Sequence, residues 1–124
     1  MPSRAILARE LSAMLKAIAH ADRVRIIEEL KAGALDVTAL SERLGVPSTR
    51  MSQHLAVLKT HRLVEERRDG RHHHYSLAEP ELASWLLDGV RFIENRLAGE
   101  IAAQQVIETA KNLWRAKGAE TASN

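Results

Sequence analysis

The sequence predicts a mostly α-helical fold with one small β-hairpin, and three observations carry that expectation. Residues 38–58 (TALSERLGVPSTRMSQHLAVL) read as two short helices joined by a tight turn. Residues 63–77 (LVEERRDGRHHHYSL) read as two strands about an Asp-Gly turn. Apolar residues recur at helical spacing toward both ends of the chain. A helix-turn-helix running straight into a basic hairpin is the pattern of a winged helix-turn-helix, which lays one helix in the major groove of DNA and the hairpin beside it. With 124 residues, 45% of them hydrophobic, the chain is expected to form one domain over 1–124. Its parts are N-terminal helices over 1–33, a helix-turn-helix over 37–60, a wing over 63–77 and a C-terminal helix or helices over 80–117.

From the N-terminus, Leu7, Leu11, Leu15 and Ile18 recur at helical spacing, and Ile26, Ile27 and Leu30 mark a second helix that Gly33 ends. Both are expected to help build the core, with His20 a boundary or capping residue between them. Thr38 is positioned to cap the next helix, whose Leu40 and Leu44 face inward, and Gly45 supplies the left-handed residue that stops it. Pro47 and Ser48 open the following helix, in which Met51, Leu55 and Leu58 form one apolar stripe. The opposite face carries Thr49, Ser52, Gln53, Ala56 and Thr60, with Arg50 on its flank. Such small, nearly uncharged side chains let a helix sink into a groove about 12 Å wide and let Gln53 and Arg50 reach base edges. The bland alternative is an ordinary solvated face.

Taking Asp69 and Gly70 as the central residues of the hairpin turn pairs Arg68 with Arg71, Arg67 with His72, Glu66 with His73, Glu65 with His74 and Val64 with Tyr75. Like charges opposite one another repel, so this tip makes most sense against a polyanion. Beyond the wing, Pro80 opens a run in which Leu82, Trp85, Leu86, Gly89, Val90, Ile93 and Leu97 keep a helical period. Ile101, Val106, Ile107, Ala110, Leu113 and Trp114 extend it, as one helix or as two broken near Gly99. A small domain cannot bury all of these, so the terminal helices are expected to form a homodimer interface through Leu7, Leu11, Leu86, Val90 and Ile93. A two-fold dimer places its reading helices about 34 Å apart and calls for a pseudo-palindromic operator.

Net charge is only +2, from 18 basic and 16 acidic residues, so bulk charge says little about DNA; yet residues 59–71 alone hold five cations against three anions. The absence of cysteine excludes disulfides, thiol redox switching, iron–sulfur ligation and thiolate zinc sites. No run approaches the roughly 18 apolar residues of a membrane span, and a cytoplasmic location is expected. His72, His73 and His74 suggest a metal cluster, but strand alternation sends His72 and His74 to one face and His73 to the other with Tyr75 and Leu77. Groove or phosphate contact is the better expectation. No histidine follows His74; Asp88, Glu94 and Glu100 offer oxygen donors near the C-terminal helices, but without imidazole they do not make a zinc-type site. No metal and no cofactor is therefore expected. No nucleophile motif or glycine-rich phosphate loop points to an enzyme.

Three segments, LKAIAHADRVRII (15–27), SQHLAVLKTHRLV (52–64) and DGRHHHYSL (69–77), resemble the ArsR/SmtB-type family of winged-helix repressors. The resemblance implies that the recognition helix reads the major groove of double-stranded DNA and that the terminal helices pair across a dimer. It implies DNA contacts by Ser48, Thr49, Arg50, Ser52, Gln53 and His54, with Arg68 and Arg71 on the wing. Two departures matter. LDVTAL stands where many members have a cysteine segment resembling LCVCDL, with Asp36 and Thr38 in the cysteine places, and Arg62 stands where the family usually has Gly. The expected function is a sequence-specific transcriptional regulator, a homodimeric repressor released by a non-thiol signal. A small-molecule effector, an oxygen-ligated ion, a protein partner or no effector all remain open. The rival readings are a non-specific architectural DNA binder and a protein-interaction module.

Overall fold

A computed structural model describes residues 2–123, with side chains described over 2–116. Two compact units divide the chain, Met1–Trp85 and Leu86–Asn124.

The first unit opens with α1 (Pro2–Ile18) and α2 (Ala21–Glu29), followed by a 3₁₀ turn (Leu30–Ala32). A two-residue strand β1 (Leu35–Asp36) leads into α3 (Val37–Leu44) and α4 (Ser48–Thr60). The wing is β2 (Val64–Asp69) and β3 (His72–Leu77), and α5 (Glu81–Gly89) begins beside it in sequence. Side chains of Ile26, Ile27, Leu40, Met51, Leu55 and Leu58 are fully buried, each stabilising the fold by about 1.5–3 kcal/mol relative to exposure. Val64 and Leu77 bring the base of the wing into this core. Only the last turn of α1 joins it, through Ala17 and Ile18, while Leu7, Leu11 and Leu15 stay exposed. The first helix thus helps to build the core through its end alone, and Leu7 and Leu11, expected at the dimer interface, are exposed.

Asp36, not Thr38, caps α3: its Oδ1 accepts the Ala39 N–H at 2.7 Å, and the helix starts one residue later at Val37. Either residue type caps well. What decides is β1, which holds Asp36 in extended backbone opposite His74 of β3. Gly45 ends α3 in the left-handed conformation, φ 65°, and the Val46 N–H returns to the Ser41 carbonyl. α4 ends in the same motif without glycine. Arg62 sits at φ 58°, with its N–H on the Lys59 carbonyl and the Leu63 N–H on the Leu58 carbonyl, both at 2.9 Å. A side chain there costs about 1 kcal/mol relative to glycine.

The sheet runs β1-β3-β2, all antiparallel. The hairpin register corrects the sequence expectation by two residues: Arg68 faces His73, Arg67 faces His74, Glu66 faces Tyr75, Glu65 faces Ser76, Val64 faces Leu77 and Asp69 faces His72. Gly70 and Arg71 therefore form the turn, and only Gly70 takes positive φ, 61°. A turn with glycine first needs one such residue, whereas the Asp-Gly turn needs two. Arg68 and Arg71 do not oppose each other. A shift of two leaves every side chain on its expected face, so His72 and His74 lie together, ring centroids 6.2 Å apart.

In the second unit, α6 runs unbroken from Arg91 to Ser123, so Gly99 lies within a helix. The interruption falls earlier, at Val90, whose carbonyl accepts the Ile93 and Glu94 N–H groups of the new helix. Phe92, Ile93, Leu97, Ile101, Val106, Ile107, Leu113 and Trp114 are exposed along it. The Lys117 side chain, at the end of the expected C-terminal run, and Met1 lie outside the described residues. Among the described residues no helix is long and apolar enough to cross a membrane.

Candidate nucleic-acid interface

α4 meets the core through Met51, His54, Leu55 and Leu58 and leaves Ser48, Thr49, Arg50, Ser52, Gln53 and Ala56 exposed. Pro47 fixes the start of the helix with φ −56° and accepts the Met51 N–H, but no side chain caps it. The N–H groups of its first turn stay open as donors. At the other end the Thr60 hydroxyl donates to the Ala56 carbonyl at 2.9 Å, and the His61 ring lies 3.0 Å from the Val57 carbonyl. These end groups are committed to the helix itself. The free hydrogen-bonding side chains gather in its first half, on the surface it shares with the wing.

Ser52 and Arg71 line one open groove of about 370 Å³, together with Asp36, Thr38, His72, His73 and Tyr75. Of the residues expected at the DNA, the groove thus brings together Ser52 of α4 and Arg71 of the wing tip. Arg68 is exposed but leans inward, its Nε 3.4 Å from Glu66 Oε1.

His54 is not part of that surface. Only 6% of it is exposed, and it faces α2, where Arg23 Nε donates to its Nδ1 at 3.2 Å. The expectation of a DNA contact at His54 is overturned by helical spacing: it lies three residues after Met51 and one before Leu55, on the apolar stripe. That spacing was visible in the sequence. His20 takes its expected role, its Nδ1 accepting the Asp22 N–H at 3.1 Å as the cap of α2.

Glu66 is the residue that sequence reasoning passed over. From β2 it reaches Lys59 Nζ at 2.6 Å near the end of α4, His73 Nδ1 on β3, and Arg68. The hydrogen bonds from Lys59 and His73 hold its carboxyl well below the usual range, at about 2. Burial, then the neighbouring Glu66 charge, pushes the Tyr75 phenol up. Glu66 ties the wing to the recognition helix and neutralises part of the wing's charge. Its signal in the sequence was a lone carboxylate on the same strand face as Val64, one pair in from the core.

Three groups of comparisons bear on this geometry. A profile described as the MarR family matches residues 20–73, a stretch that holds the helix-turn-helix and most of the wing but neither terminal helix. The HTH-type transcriptional regulator Rv2034 of Mycobacterium tuberculosis is 40% identical over 84 residues, covering 68% of this chain and 78% of the relative. The chain belongs to the ArsR/SmtB-type family of winged helix-turn-helix transcriptional regulators. The HTH-type transcriptional repressor SmtB of M. tuberculosis is 38% identical over 77 residues, covering 62% of this chain and 57% of its own length. The match thus spans less than two thirds of that repressor. In solution the homodimeric winged helix-turn-helix DNA-binding domain Mb0332 of Mycobacterium bovis has the same fold, with a TM-score of 0.63 and 29% identity over 78% of this chain and 89% of that one.

Proposed function

We propose that this chain is a homodimeric, sequence-specific DNA-binding transcriptional repressor, working in the cytoplasm as one functional domain over 1–124. The observation that carries the reading is the exposed, small and polar first half of α4, whose Ser52 shares a groove with Arg71 of the wing tip. Ser52 and Gln53 read base edges, Arg50 reaches bases or phosphate from the flank, and Ser48 and Thr49 meet phosphate with the open N–H groups of the helix start. Arg68 and Arg71 lie along the backbone or minor groove. Family membership and the homodimeric neighbour support pairing through the exposed residues Leu7, Leu11, Val90 and Ile93, with the half-buried Leu86.

Because both half-sites must be held at once, a signal that alters the angle between the two reading heads releases the operator. Without cysteine in the chain that signal is not thiol chemistry. The test is selection from random duplex DNA by the purified protein, followed by sizing with and without the enriched duplex. The expected product is a pseudo-palindrome with half-sites about one helical turn apart, bound at least about 10³-fold more tightly than a scrambled duplex. Binding without enrichment marks an architectural protein, and a dimer that ignores DNA marks an interaction module; either overturns the reading.

A further inference from the structure

Among the described residues His54 is the one ionisable residue buried in the core, and it belongs to the recognition helix. Arg23 Nε donates to its Nδ1, and Nη1 of the same guanidinium donates to the Ala17 carbonyl at the end of α1, 3.1 Å away. The His20 ring lies 4.4 Å from the His54 ring, centroid to centroid, and Asp22 Oδ2 stands 3.6 Å from its Nε2. One side chain of α4 thus meets α2, the α1–α2 junction and, through Arg23, the last turn of α1.

His20, Asp22 and His54 also place three ligand-type atoms within 4.8 Å of one another. The hydrogen bonds argue against a resident cation. Each imidazole accepts at Nδ1, His54 from Arg23 and His20 from the Asp22 N–H, so each neutral ring carries its proton on Nε2. A cation bound at the Nε2 atoms needs both tautomers reversed and sits beside the Arg23 guanidinium. The buried His54 Nε2 has no hydrogen-bond partner, since Asp22 is beyond hydrogen-bond distance. What the cluster does provide is a seat for one ring in its neutral form.

We propose that His54 is a positioning residue for DNA reading: its neutral ring, accepting from Arg23, fixes the rotation of α4 so that Arg50, Ser52 and Gln53 meet the DNA. This inference rests on the DNA-reading function proposed above. Protonation abolishes the acceptor and sets a second cation against Arg23, with His20 alongside and Arg50 on the same helix; Asp22 alone offsets it. Burial first, then the His20 and Arg23 charges, holds the His54 pKa below the usual 6.5. The seat is therefore complete at neutral pH and is lost as pH falls through that lowered value.

The experiment compares wild type, His54→Asn and His54→Leu on the duplex enriched from random DNA, from about pH 8 to about pH 5.5, a range in which imidazoles titrate. The asparagine side chain keeps an acceptor where Nδ1 stood and cannot be protonated, whereas leucine leaves the part-buried Arg23 N–H without its acceptor. All charges outside position 54 are common to the three proteins, so comparing them at each pH isolates the contribution of His54. Near pH 8 the asparagine variant should bind like wild type and the leucine variant about tenfold more weakly or worse. On acidification wild type should weaken relative to the asparagine variant, by up to about tenfold per pH unit for each half-site below the His54 pKa. Ring ¹⁵N shifts of His54 should report the Nε2–H tautomer at the alkaline end. Parallel pH courses for wild type and His54→Asn, or an Nδ1–H tautomer, overturn the proposal, and these readouts stand even if the leucine variant does not fold. A wild-type protein that binds no duplex removes the functional reading and this inference with it; one that binds, with parallel courses, removes this inference alone.

Discussion

Gln53 and Arg71 should fail in different ways, and the structure sets the size of each effect. Both are exposed, and among the described residues neither side chain makes an intramolecular hydrogen bond or ion pair. Truncation to alanine should therefore leave folding stability within about 0.5 kcal/mol of wild type, so that changes in binding report contacts with DNA. Gln53 sits on the exposed side of α4 that the proposed function turns to the bases, where a lost bidentate contact costs about 1–3 kcal/mol, or about 5- to 150-fold in affinity, per half-site of the preferred duplex. The loss should be confined to that duplex and should relax preference at one base position. Arg71 stands at the second position of the hairpin turn, and the proposed function assigns it a phosphate contact. Each phosphate contact removed lowers the salt slope by about 0.9, so raising salt from about 50 to about 200 mM should weaken the variant about 3.5-fold less per half-site, and about 12-fold less for a dimer on two. Fluorescence anisotropy on enriched and scrambled duplexes across that range separates the two signatures. If Gln53→Ala leaves base preference intact while Arg71→Ala abolishes it, sequence is read by the wing and the assignment of α4 is wrong.

Arg62→Gly should raise stability by about 0.5–1 kcal/mol, seen as a higher urea midpoint at unchanged slope, because it removes a left-handed side chain; a lower midpoint shows that the arginine contributes more than its backbone costs. Leu11→Glu or Ile93→Glu should lower the dimer fraction in sedimentation velocity and weaken operator binding together. A monomeric variant holding the full palindrome at wild-type affinity refutes the terminal-helix interface. Arsenite at micromolar levels should not release DNA from the purified protein, since the chain has no thiol to bind it; release reveals a second chemistry. Glu66, with its pKa held at about 2, contributes stability that is fully present above the ordinary carboxylate pKa of about 4.5 and is lost as pH falls toward 2. Glu66→Gln should flatten that acid limb in circular dichroism, and an unchanged limb assigns acid unfolding to other carboxylates.

The features legible in the sequence were those set by neighbours along the chain. Met51, Leu55 and Leu58 are buried as their spacing required, and Gly45 and Arg62 take the left-handed positions at the two helix ends. The hairpin was legible in faces but not in register, because Asp-Gly and Gly-Arg are both two-residue turns and the choice depends on pairing along the whole ladder. β1 was invisible: two residues show no period, and its partner Tyr75 lies far along the chain from Leu35. Once β1 is present, Asp36 is held extended and becomes the cap in place of Thr38, so one non-local pairing displaced a local expectation. His54 marks the same boundary from the other side. Its position three residues after Met51 was enough to place a polar ring on the apolar stripe, and a buried ring nitrogen requires a partner. Which partner was beyond local reading, since Arg23 lies on another helix 31 residues earlier. A polar residue at a core spacing therefore predicts that a hydrogen bond exists across the fold, and only the packing of α2 against α4 says what makes it.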